Sequence, residues 1–397
     1  MRRISDRERR ARLAIRHHLA PSAKATDVVA LAEQMVGLHS TDPATVVLAA
    51  AARLKLPTVE GVERALYDDR TLVRTLCMRR TLFVVPVDLV PIVQAAVTEA
   101  LVPPERKRTV RMIEEAGIAR DGARWLRQAE AETIAAIEAR GEITGADLSK
   151  VVPRLRKQIP YGEGKTWAGK MGMTTRVLFL LACEQRVVRG RPKGSWTSTR
   201  YRWAPMTSWL PDGIPTLKPD EARAELARRW LAAFGPGTVA DLKWWTGWTL
   251  GQTRKAVAEL DTVEVELDHG DAGVVLAGDD APVRSPKPWA ALLPSLDPTT
   301  MGWAERAWYL GPHKSALFDR AGNAGPTVWW DGRIVGGWTQ RADGQIVWRA
   351  LEDIGSDGQH AVERQVERLQ RWLAGAVVVP RFPTPLFQEL RRELCMP

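Results

Sequence analysis

The chain has 397 residues, with 57 Lys and Arg against 47 Asp and Glu and a formal net charge of +10. That length predicts two or three cores rather than one, and 45% hydrophobic with 26% charged residues excludes a disordered or fibrous class. No unbroken apolar run reaches about eighteen residues, which argues against a membrane span. The charged start Met1-Arg2-Arg3 has no apolar stretch behind it, which argues against a secretory signal. Cys77, Cys183 and Cys395 are scattered and odd in number, as expected of reduced cysteines in a cytoplasmic protein.

Ser5, with Glu8 three residues on, predicts a capping box and a helix running to about Leu19, before Pro21. A second helix follows from Thr26, with Val28, Leu31, Ala32 and Met35 on one face and Gly37 as its cap. Asp42-Pro43 reads as an N-cap followed by proline at the first helical position, opening a helix to about Leu54. Thr71 to Val85 is rich in β-branched residues and predicts a strand pair. Three helices and a strand pair is a winged-helix order.

The order recurs with helices at Arg124–Ala139, Gly145–Val152 and Thr174–Glu184. Strands at Arg186–Arg189 and Trp196–Trp203 then flank the turn Gly190 to Gly194. A weaker third copy spans Glu221–Ala233, Val239–Trp245, Leu250–Leu260 and Val263–Leu267, behind a linker containing Pro205, Pro211, Pro215 and Pro219. Beyond about residue 282, tight turns at Asp331-Gly332 and Asp343-Gly344 lie among Trp329, Trp330, Trp338 and Trp348. A closing helix, about Ala361 to Leu373, and an extended tail complete the chain. The expected fold is α+β, with tandem winged helix-turn-helix units and a Trp-rich, β-hairpin or small barrel-like C-terminal region. The expected divisions are 1–90, 91–205, 216–281 and 282–397.

The charge is concentrated. Residues 150–203 hold thirteen basic residues against Glu163 and Glu184, an excess of eleven, whereas the remaining 44 basic and 45 acidic residues nearly cancel. A segment that holds the whole excess is the footprint of a polyanion-binding surface. Arg186, Arg189, Arg191, Lys193, Arg200 and Arg202 fall on one predicted hairpin, suited to phosphate contact along duplex DNA. Trp196 and Trp203 are expected to pack that hairpin onto its helices. Gly164-Lys165-Thr166 resembles the end of a phosphate-binding loop, but Ile159 stands where its first glycine belongs, which excludes nucleotide hydrolysis and leaves Lys165 as a DNA contact. No zinc, zincin or serine-hydrolase pattern is present, so neither metal nor cofactor is expected.

Several stretches carry a family resemblance. They are Gly37-Leu38-His39-Ser40-Thr41-Asp42-Pro43, Leu72-Val73-Arg74-Thr75 through Arg80-Thr81-Leu82, Arg189-Gly190-Arg191-Pro192-Lys193-Gly194-Ser195-Trp196 and Leu292-Leu293-Pro294-Ser295-Leu296-Asp297-Pro298. The chain resembles the winged-helix DNA glycosylase superfamily of the AlkZ and YcaQ type. The resemblance implies hydrolysis of the N-glycosidic bond of alkylated purines, with crosslink unhooking in some members. It implies a catalytic Gln-x-Gln or Gln-x-Asp in the loop, where His39 and Thr41 stand here. His39 can hold or deprotonate a water, Thr41 can add a hydrogen bond, and Asp42 can supply negative charge or serve as the helix cap. Arg74 and Arg80 match the family's basic pattern, and either can bind phosphate or bridge to Asp68 and Asp69. Many relatives have histidine after Leu82, where this chain has Phe83.

The implied partner is double-stranded DNA, bound by a monomer without metal or membrane. The alternatives are a non-catalytic binder that kept the scaffold, or a transcriptional regulator. Regulators usually dimerise over paired half-sites, and no dimerisation helix is legible.

Overall fold

Helices begin where a side chain can take up the free N–H groups of the first turn. Asp27 opens Val28–Gln34 and Asp42, with Pro43 behind it, opens Pro43–Arg53. Thr238 with Asp241 and Thr249 with Gln252 form complete capping boxes over Val239–Thr246 and Leu250–Ala258. The cap at Ser5 is one-sided: its Oγ accepts from Glu8 N at 3.3 Å, while the Glu8 carboxylate accepts from Arg2 and Arg12. Two guanidinium groups outcompete one backbone N–H, because charge-assisted bonds are the stronger. The helix opened there, Asp6–Arg16, ends before the expected Leu19. The computed structural model describes residues 1–162, 164 and 168–393.

The fold is mixed α+β, with small separate sheets. In the first, Leu38–His39, Leu82–Pro86 and Leu72–Leu76 lie in that order, all antiparallel. In the second, Ile143–Thr144 pairs with Tyr201–Pro205, which pairs with Val187–Pro192. In the third, Thr262–Leu267 pairs with Ala272–Leu276 on one side and, in parallel, with Arg2–Ile4 on the other. The chain start thus completes a sheet whose other strands lie some 260 residues away.

The C-terminal sheet runs Ala290–Leu293, Thr327–Trp330, Arg333–Gln340, Ile346–Ala350, antiparallel throughout. It is open, and among the described residues no sheet closes into a barrel, which corrects the barrel-like expectation. The helix Gly355–Leu373 covers one face, with Ala361, Val362 and Leu373 buried against Val328, Val335 and Trp338. That helix buries the face a barrel would have closed upon itself.

One core contains residues from Leu13 to Leu390 and joins the first sheet, the helices at 219–258 and the tryptophan-rich region. Residues 113–203 contribute a second core around Leu126, Ile137, Leu148, Val177 and Leu181. Val87–Glu115 is one helical run, long and apolar enough by composition to cross a membrane. Leu89, Val90, Val93 and Ala96 of this run pack into the main core.

Candidate functional site

The loop after Leu38–His39 takes its course from Gly37 and Asp42. Gly37 has φ +97°, and a Cβ there would stand 2.8 Å from Val85 Cγ1, so only glycine lets the chain pass this close to the neighbouring strand. His39 then pairs with Phe83 across the sheet, their rings 4.9 Å apart. His39 is 3% exposed. Burial, with a smaller push from the Arg79 charge, lowers it to about 3, so near neutrality it is a neutral ring. Its Nδ1 accepts from Thr41 N at 3.4 Å, leaving the ring proton on Nε2.

Ser40 N donates to Leu82 O at 2.7 Å, and Thr41 Oγ1 accepts from Leu82 N at 3.2 Å. Both oxygens of buried Asp42 are committed: Oδ1 accepts from Ala44 N at 3.1 Å and Oδ2 from Arg381 N at 2.9 Å. Burial raises Asp42 against those two bonds and the Arg381 charge.

Thr41 and Leu82 form one wall of a cleft of about 470 Å³. The Val187–Pro205 hairpin also lines it, through Arg189, Lys193, Arg200 and Tyr201, as does the start of the helix Gly145–Val151. Arg381, from the C-terminal tail, also lines it. His39 and Asp42 do not line this cleft; they stand behind Thr41 and hold its backbone and its helix.

The predicted basic residues have separate fates. Among the described residues, no carboxylate forms an ion pair with Arg189, Lys193, Arg200 or Arg202. Arg189 lies over the Trp203 ring at 4.5 Å. Burial, together with the Arg74 and Arg381 charges, brings it down to about 10. Arg191 pairs with both Glu63 and Asp68 at 2.9 Å and so docks the hairpin onto the helical segment at 59–68. Arg186 lies 3.9 Å from Glu184, and Arg80 pairs with Glu105 at 2.7 Å. Arg74 is 3% exposed; its Nε donates to Ser40 Oγ at 2.7 Å and an Nη to Tyr67 Oη at 2.9 Å. Lys165 falls outside the described residues. Trp203 is buried in the second core, and Trp196 packs edge-on against Trp372 of the closing helix at 6.3 Å.

Among the lining residues given no role from the sequence are Asp147, Tyr201 and Arg381. Asp147 is the acid of the cleft: its Oδ1 accepts from Lys150 Nζ at 2.8 Å and its Oδ2 from Thr144 Oγ1 at 2.7 Å, bonds that hold it below its ordinary value. Asp147 at the third helical position after Thr144 is a sequence signal for a cap, not for chemistry. Tyr201 supports Arg74, whose guanidinium lies 4.6 Å from its ring centre, and its buried hydroxyl has no hydrogen-bond partner among the described residues. Arg381, in a proline-flanked tail, has no local signal at all. Among the described residues no three His, Cys, Asp or Glu side chains are grouped to hold a metal ion.

The arrangement can seat an anionic backbone along the hairpin and present a threonine hydroxyl and a carboxylate to whatever enters the cleft. The family model described as DNA glycosylase AlkZ-like matches residues 32–372. The chain is also similar to the solved structure of Streptomyces sahachiroi DNA glycosylase AlkZ, with 22% identity and a TM-score of 0.72 over 96% of this chain and 100% of that one. At that identity the likeness establishes a shared fold. No curated protein matches the chain. By its sequence over most of its length, this chain belongs to the AlkZ-like family of DNA glycosylases.

Proposed function

We propose that this protein is a monofunctional DNA glycosylase that acts, as a monomer, on alkylated or bulky-adduct purines in duplex DNA, using winged-helix units to hold the duplex. One observation carries this reading. Thr41, at the place of the family's catalytic loop, lines the same cleft as Arg189, Lys193 and Arg200, cations that form no ion pair with a carboxylate among the described residues.

The chemistry asks little of the protein. An N7-alkylated purine is already cationic, so when the C1′–N9 bond breaks, its electron pair neutralises the departing base and no acid is needed. A water then adds to the oxocarbenium-like sugar. In this reading the Thr41 hydroxyl and the Asp147 carboxylate hold that water, whose proton passes to Asp147. A weak base suffices, because a water bonded to an oxocarbenium centre is strongly acidic. His39 and Asp42 are positioning residues: His39 holds the Thr41 backbone, and Asp42 holds the helix behind it. The same cleavage at a crosslinked purine would unhook the strands.

A second reading, a non-catalytic DNA binder, is favoured by the burial of His39 and by threonine in place of a carboxamide or carboxylate. Base release from duplex DNA carrying N7-methylguanine separates the two. Wild-type release that falls by about 10²-fold or more in Thr41→Ala or Asp147→Asn, with binding retained, supports the enzyme. Salt-dependent binding without release by the wild type, across N7-alkyl and bulky adducts, leaves the binder.

A further inference from the structure

The C-terminal tail crosses the site loop on a fixed path. Gln340, in the C-terminal sheet, clamps its beginning: its Nε2 donates to Ala376 O at 3.1 Å and its Oε1 accepts from Val378 N at 2.8 Å. Buried Thr384, Leu386, Phe387 and Leu390 anchor the far end. Between these anchors Asp42 Oδ2 takes the Arg381 backbone N–H, and Pro380 and Pro383 restrict the backbone on either side. The tether uses the main chain, and the guanidinium lies 5.9 Å from the centre of the Phe382 ring. Arg381 is exposed and, among the described residues, forms no ion pair with a carboxylate.

We propose that Arg381, held across the site loop through Asp42, acts with Arg189 to grip a DNA phosphodiester beside Thr41. This rests on the reading of the cleft as a DNA site, but not on catalysis. Two guanidinium groups that line one cleft repel each other unless an anion lies between them, and the planar fork of arginine matches phosphate oxygens in pairs. Arg189 is fixed over Trp203 and the strapped tail fixes the Arg381 backbone, so less freedom remains to be lost on binding. The tail is therefore a wall of the interface, although the basic segment of the sequence ends some 180 residues earlier.

The test is binding to undamaged duplex DNA across a salt series. Arg381→Ala keeps its backbone N–H, and with it the tether to Asp42, so its melting temperature should match wild type. The slope of log K against log salt should become shallower by about 0.9, the contribution of one phosphate. Arg381→Lys should keep most of the slope, and Arg371→Ala, at the exposed end of the preceding helix, all of it. To place the phosphate, a duplex with a tetrahydrofuran abasic analogue is given a neutral methylphosphonate next to that site. Wild type should lose affinity on this duplex, and Arg381→Ala should lose no more than it already has. An unchanged slope, or a full further loss from the methylphosphonate, overturns the assignment. Base release by wild type beside an unchanged Arg381→Ala slope sinks this inference and keeps the glycosylase reading; a reduced slope without base release does the reverse.

Discussion

Arg53 and Asp297 form a bidentate ion pair, with bonds of 2.8 and 2.7 Å, and both side chains are 0% exposed. The pair ties the end of the helix Pro43–Arg53, which the site loop begins, to the Leu292–Pro298 stretch. Thr299 Oγ1 accepts from Arg53 at 2.8 Å and donates to His17 Nδ1 at 2.8 Å, while Thr45 Oγ1 donates to Ser295 O at 2.6 Å. The stretch that supports the family resemblance around Asp297 is therefore a keystone under the site and does not line the cleft.

Removing one partner leaves the other charge buried and alone. Asp297→Ala should cost about 3–5 kcal/mol of stability, read from urea unfolding. The double variant Arg53→Met with Asp297→Leu should cost clearly less than the two single changes summed. Strict additivity would mean that the two charges do not stabilise each other.

Acid should weaken the fold through two histidines. Burial lowers His17 well below its ordinary value, and His39 falls to about 3. Both groups are neutral in the folded and unfolded chain above pH 6.5, so their contribution is whole there. Below about 6.5 the unfolded chain takes up protons that the folded chain refuses, so stability falls with pH, down to about 3 for His39. Each can add up to about 1.4 kcal/mol per pH unit. Unfolding followed from pH 7 to pH 4 should show a shallower decline in His39→Gln than in wild type; parallel curves would refute the assignment.

Gly37→Ala should destabilise the chain by about 1–3 kcal/mol, because it forces a side chain into a positive φ and against Val85. If the Gly37 passage also sets the position of Thr41, base release should fall further than stability accounts for at a temperature where the variant remains folded.

Arg191 and Lys193 are two residues apart and should behave oppositely. Lys193→Ala should make the salt slope of DNA binding shallower by about 0.9 with little change in melting temperature. Arg191→Ala loses Glu63 and Asp68, so it should loosen the docking of the hairpin and lower the melting temperature, with the slope nearly intact. Equal slopes lost in both would mean that Arg191 leaves its carboxylates to meet DNA.

What the sequence determined by itself was local. Asp42-Pro43 announces a helix because an N-cap and a first-position proline act within a single turn. Asp331-Gly332 announces a hairpin because both residues adopt positive φ, 45° and 82°, as the turn requires. The excess charge near residue 190 was countable for the same reason. Tertiary structure decided which of those charges are spent: Arg191 meets its carboxylates 123 and 128 residues away, and Arg189 pairs with none among the described residues. It decided that Arg2–Ile4 completes a sheet with Thr262–Leu267, since a three-residue strand has no periodicity to read. It also decided that Thr41 lines the cleft while His39 and Asp42 are buried. A histidine at a motif position looks reactive in one dimension, but whether it meets solvent depends on neighbours such as Phe83 packing against it. Arg381 reaches the cleft on a tail held by Gln340, by buried residues beyond it and by Asp42, which 339 residues earlier accepts its N–H. Spacing along the chain conveys caps, turns and net charge; desolvation and pairing are properties of neighbours in space.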